Sequence, residues 1–171
     1  MRRPFHALAV AGTAAHHGFE LASGVGLVFQ PQLGLRGALT TWATALPGLA
    51  TASARGSSRW DGPLAFANGA GLAGAAVHFT LWPWAMRAGV PMLTEAEGLS
   101  PGQLPAYNAV LWAWALASLA AVVTETPRRD RRWFALGLLS GIPLRFSARH
   151  HFSWAREQAR VNPAWWNRGL R

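Results

Sequence analysis

Four stretches of this chain are apolar over about 20 residues, the length a helix needs to cross the hydrocarbon core of a bilayer, and they are separated by proline, glycine and arginine signals. The first runs from Phe5 to Phe29 and stops at Gln30-Pro31, where proline removes a backbone donor and disfavours helical geometry in the residue before it. The second, Gly37 to Ala54, is shorter, contains Pro47 and carries threonines at 40, 41, 44 and 51, which suit a helix facing protein. The third, Pro63 to Met86, has Gly69, Gly71 and Gly74 in its first half, small residues that let a second backbone come close. The fourth, Pro105 to Thr124, has Tyr107 as its sole ionisable residue and is the clearest span.

The expected fold class is therefore all-α, an integral membrane helical bundle of about four transmembrane helices, 1–171 forming one unit with a basic, tryptophan-containing, membrane-proximal tail over 145–171. A short apolar run from Trp133 to Leu144, interrupted by Gly141 and Pro143, reads as a re-entrant or interfacial segment, with a fifth helix over 133–152 as the alternative. The positive-inside rule places Arg2 and Arg3, the Arg55/Arg59 loop and the Arg128 to Arg132 cluster on one side, and the Glu95/Glu97 loop opposite. Four spans keep the tail arginines on the positive side, so the expectation is a multi-pass protein of the cell membrane with both termini cytoplasmic. The apolar run behind Arg2 and Arg3 continues past Glu20 without a convincing cleavage site, so it reads as a retained helix and not as a signal peptide.

Composition narrows the chemistry. The chain is 51% apolar and only 13% charged, and its net charge of +9 gathers at the ends of apolar stretches and in the tail. That distribution speaks against nucleic acid and for anionic lipid headgroups as the partner of the arginine-rich tail. With no cysteine, disulfides, thiolate metal sites and cysteine nucleophiles are excluded.

The most informative stretch is Ala15-His16-His17-Gly18-Phe19-Glu20, because it sets three ionisable groups inside the first span, where an unpaired charge is expensive. His16 and Glu20 are spaced i, i+4 and His17 and Glu20 i, i+3, so imidazole and carboxylate share one helical face and can hold and move a proton. His16, His17 and Glu20 are thus the candidate catalytic residues, with no metal expected. His78, Trp82, Tyr107, Asn108 and Trp112 are the candidate substrate-binding residues, the tryptophan rings offering a face to a cationic intermediate. Most remaining tryptophans, Trp42 among them, read as interface-belt residues, and His150-His151 as a lipid-headgroup or metal site.

The H-x-x-x-E spacing of His16 and Glu20, with the later Tyr107-Asn108-Ala109 to Trp112 stretch, faintly resembles the emopamil-binding type of sterol isomerase over about a dozen residues. The resemblance implies a buried His/Glu pair acting on a sterol-like molecule. The expectation from the residues is a small membrane enzyme of isomerase or cyclase type that acts by acid/base chemistry on an apolar lipid or isoprenoid-like substrate without a cofactor. The alternatives are a haem- or quinone-binding membrane subunit, and a non-catalytic subunit or small transporter. Counting inward from the membrane faces puts His17 near mid-depth and His78 beyond it on the outer side, against a shared haem.

Overall fold

The computed structural model describes residues 3–171, so Arg2 lies outside it. Six α-helices and one β-hairpin follow in the order α1 Pro4–Ser23, α2 Gln30–Arg55, α3 Asp61–Leu81, β1 Trp84–Arg87, β2 Val90–Leu93, α4 Leu104–Ala120, α5 Arg131–Leu139 and α6 Gly141–Val161. Ser58–Leu81 and Leu104–Glu125 are long and apolar enough to cross a membrane; α1 and α2 fall short of that threshold. The reason is compositional: α1 carries His6, His16, His17 and Glu20, and α2 is rich in threonine and contains Pro47.

One end of the bundle is held by a carboxylate cap and a buried ion pair. Glu125, just past α4, accepts the backbone N–H groups of Phe5 and His6 at 2.9 Å each, capping the first turn of α1 with a carboxylate. Arg3 pairs with Asp61 at the start of α3, where both side chains are buried. The first turns of α1 and α3 are thus clamped together, and the two helices run in the same direction. At the other end α1 stops at Gly24, whose left-handed backbone (φ 77) closes the helix while Val25 N–H returns to Glu20 O.

Several boundaries differ from the sequence expectation. Pro31 opens α2 instead of closing α1; the chain turns at Gly24 and is non-helical up to Phe29. Gly34 (φ 67, ψ 172) then kinks α2, a conformation that favours glycine. The threonines of α2 face outward, and two of them satisfy their hydroxyls on their own helix, Thr41 at Gly37 O and Thr44 at Thr40 O. Helix α3 ends at Leu81, short of Met86, since Pro83 drives Trp82 into extended geometry (φ −118, ψ 152). The residues beyond form the antiparallel hairpin, turned by Ala88-Gly89 with positive φ at both positions. Helix period and apolar content gave no sign of this hairpin.

The largest correction concerns the C-terminal third. Trp133 to Leu144 is not re-entrant: α5 and α6 follow each other along α3, with Trp133 against Gly62, Gly137 against Gly69, Gly141 against Ala73 and Leu144 near Gly74. A Cβ added at Gly137 would lie 2.2 Å from Phe66 O, and one at Gly69 would lie 2.1 Å from Phe134 O, so the two backbones touch. The pair runs parallel to α3 and delivers the chain to the far end of the bundle. There Gly169 N–H bonds Gly24 O, Arg168 bonds Ala22 O at 2.6 Å, and Arg156 pairs with Glu97. The termini therefore sit at opposite ends of the bundle, and Arg156 and Arg168 of the tail find partners at the end that holds Glu97, whereas the charge count groups the tail with the basic loops.

Candidate functional site

Backbone closeness positions the first group of side chains. Gly12 on α1 lets α4 approach until an added Cβ would meet Trp114 Cα at 2.9 Å, and Gly71 and Gly74 on α3 leave a slot for the Trp114 indole. Trp114 then stacks on His16, with ring centroids 5.0 Å apart and planes 23° apart. One turn along α1 from His16, the Glu20 carboxylate arrives between α1, α3 and α4.

Around that carboxylate the polar groups converge. His16 Nε2 lies 3.4 Å and His17 Nδ1 3.8 Å from Glu20 Oε2, while His78 Nε2 lies 3.6 Å from Oε1. Tyr107 donates its hydroxyl to Oε1 at 2.9 Å. All four partners are buried, and Glu20 is 12% exposed. The donor atoms of His16, His17 and Glu20 lie within 4.8 Å of one another, a spread that one metal ion could also bridge.

The hydrogen bonding of His78 fixes a proton. Its Nδ1 faces Gly74 O at 2.8 Å, a carbonyl that can only accept, so Nδ1 bears hydrogen. Neutral His78 would then aim a lone pair at a carboxylate oxygen, which is repulsive. A proton between His78 and Glu20, on either group, removes the conflict. Protonated in this way, the cluster has the makeup of a general acid/base.

The cluster closes one end of an apolar cavity of about 450 Å³ enclosed by α1, α2, α3, α4 and α6. Its other end reaches Ala9, Leu64, Asn68 and Ser118. Of the expected site residues, His16, His17, Glu20 and His78 line it, and Tyr107 touches it through Glu20. The rings of His16 and His78 are 4.9 Å apart, at a common depth, contrary to the count from the membrane faces. That count placed the helix ends wrongly.

The other three candidates serve the hairpin or its neighbourhood. Asn108 accepts Leu93 N–H and donates to Leu93 O and Leu104 O, pinning β2 to α4. Trp112 donates to Pro91 O at 2.8 Å, and Trp82 packs edge-on against Phe152 at 4.9 Å. None of the three lines the cavity.

Sequence reasoning missed or misplaced other residues. Trp42, expected in an interface belt, stacks over His17 at 4.0 Å and lines the cavity. His151 is buried against it, donating Nε2–H to Val25 O at 3.1 Å, while the adjacent His150 is exposed. A histidine pair in an arginine-rich helix gives no sign of which member turns inward; the spacing of His151 three residues from Ala148 and seven from Leu144 was the available signal. Comparison with family models, with curated proteins and with solved structures yields no match.

Proposed function

We propose that this chain is a small multi-pass membrane enzyme that moves protons on an apolar, isoprenoid- or sterol-like substrate held in the cavity. The observation that carries this reading is the meeting of Glu20 with three imidazoles and the Tyr107 hydroxyl at one end of a cavity whose walls are otherwise mostly apolar. A water-filled polar site would solvate a carbocation or quench it. Here the lining is mostly apolar, and the faces of Trp42 and Trp114 beside the cluster suit developing positive charge.

The reaction class that needs nothing else is double-bond isomerisation or cyclisation. A proton held between Glu20 and an imidazole adds to one alkene carbon, using the π electron pair. The cation so formed loses a proton from a neighbouring carbon to the same cluster, regenerating an alkene with no net oxidation. Glu20, His16 and His78 would hold the proton, His17 would complete the set of bases, and Tyr107 would fix the carboxylate. A haem would need two imidazoles facing each other across a porphyrin, whereas the His16 and His78 rings already meet edge to face.

Membrane location rests on the two long apolar helices and on large apolar side chains exposed on several helices, among them Leu8, Leu116, Val123, Leu139, Ile142 and Phe146. Such surface is unusual on a protein that meets only water. The test is proton exchange: membranes containing the protein are incubated in D₂O and their neutral lipids analysed by mass spectrometry. Deuterium enters a lipid with the wild type and not with Glu20→Gln; equal incorporation with Glu20→Gln refutes the proposal.

A further inference from the structure

At the end of the cavity away from Glu20, two side chains lack partners. Asn68 uses both hydrogens of its amide: one bonds His6 Nδ1 at 2.6 Å and the other Leu64 O at 2.7 Å. These two bonds fix the orientation of the amide, and its Oδ1 is left buried with no hydrogen-bond partner. Ser118 Oγ is likewise buried, at 0% residue exposure, and unpaired. It does not even make the bond back to its own helix that Thr124 makes to Ala120 O. Both residues line the same cavity.

The two come from antiparallel helices at one level. Gly71 lies against Trp114, so one turn further toward the Arg3 end α3 presents Asn68 and α4 presents Ser118. Ten residues of α3 separate Asn68 from His78, and eleven of α4 separate Ser118 from Tyr107; at 1.5 Å per residue each is a distance of about 15 Å. Thus an apolar space about 15 Å long has a proton-holding cluster at one end and an unpaired acceptor beside an unpaired hydroxyl at the other.

We infer that the cavity takes a neutral alcohol, whose hydroxyl sits between Asn68 and Ser118 and whose reacting double bond lies about 15 Å away at Glu20. An amide oxygen can only accept, so its partner must donate; this selects a hydroxyl over a ketone, an ether or a hydrocarbon. The same ligand oxygen can accept the Ser118 O–H, so one hydroxyl satisfies both orphans. Among the described residues no arginine lines the cavity, which leaves a phosphate or carboxylate without a guanidinium counter-ion. An extended chain of about twelve carbons spans 15 Å, taking about 1.25 Å per carbon from ordinary bond lengths. This inference rests on the proposed function for its reacting end and on Asn68 and Ser118 alone for its hydroxyl end.

The probes are all-trans farnesol, its methyl ether and the matching hydrocarbon farnesene, measured for binding to the purified full-length protein in nanodiscs by displacement of a fluorescent fatty alcohol and by thermal shift. Two hydrogen bonds should favour farnesol over farnesene by about tenfold in the wild type, and the bond to Asn68, which the ether cannot donate, should favour farnesol over the ether by about threefold. Ser118→Ala, which removes one oxygen and leaves the backbone and volume nearly intact, should cut the preference for farnesol over farnesene to about threefold while keeping farnesene affinity unchanged. Glu20→Gln should leave the alcohol preference as it is, so failure of the proton-exchange assay and failure of this inference are separately visible. Equal binding of alcohol and ether, as a trapped water serving both polar groups would give, overturns the inference. So do an unchanged preference in Ser118→Ala and absence of binding by all three probes.

Discussion

Replacing Gly137 with alanine should loosen the bundle more than any helix-propensity argument allows. An added Cβ there lies 2.2 Å from Phe66 O and 2.8 Å from Ala70 N, against an ordinary contact of 3.4–4 Å. Helix α5 would have to recede from α3 by about 1 Å along a contact where backbone meets backbone. Neither blocking atom can swing away as a side chain would, so the cost belongs at the upper end of overpacking, about 3 kcal/mol. Alanine in place of glycine within a helix returns about 1 kcal/mol, leaving a net loss of about 2 kcal/mol. For a chain of this size that is a fall in Tm of about 4–8 °C.

Gly18→Ala is the matched control. It too lies inside a helix, but an added Cβ meets nothing within 4 Å, so only the propensity gain remains and Tm should rise by about 2 °C. Both variants can be followed in detergent by tryptophan fluorescence during thermal unfolding. If Gly137→Ala melts at or above the wild-type temperature, α5 does not pack on α3 through Gly69 and Gly137, and the parallel course of α5 and α6 along α3 fails with it.

Arg3→Met leaves the buried Asp61 carboxylate with Arg129 as its remaining nearby cation, at 3.9 Å, so the loss should be about 3 kcal/mol, and Arg3→Met with Asp61→Leu should recover most of it; equal losses in the single and double variants by thermal unfolding would refute a buried pair. Because the chain has no cysteine, single cysteines report sidedness directly. Ser58→Cys and Asn162→Cys, exposed at opposite ends of the bundle, should react with an impermeant maleimide from opposite faces of sealed vesicles, and labelling of both from one face would contradict the opposed termini.

The helical character of the chain, the fourth apolar helix and the grouping of His16, His17 and Glu20 on one face are all local properties. Period, apolar length and i, i+4 spacing are written in contiguous residues and need no knowledge of neighbours. The glycines of α3 likewise announced a close approach, though not to which helix. What the sequence left open depends on partners far along the chain. Asp61 and Glu125 could be recognised as the anchors of the α1 N-terminus only once α3 and α4 lay beside it. Ser118 is one unremarkable residue in an apolar helix until the register against Gly71 and Asn68 turns it into the end of a cavity. The direction of the C-terminal helices was decided by backbone contact between Gly69 and Gly137 and by the pairing of Arg156 with Glu97, energies that act between segments roughly sixty or more residues apart and that no local pattern records. Sequence supplied the cluster of imidazoles and carboxylate; tertiary packing decided that it lines one end of a long, mostly apolar cavity.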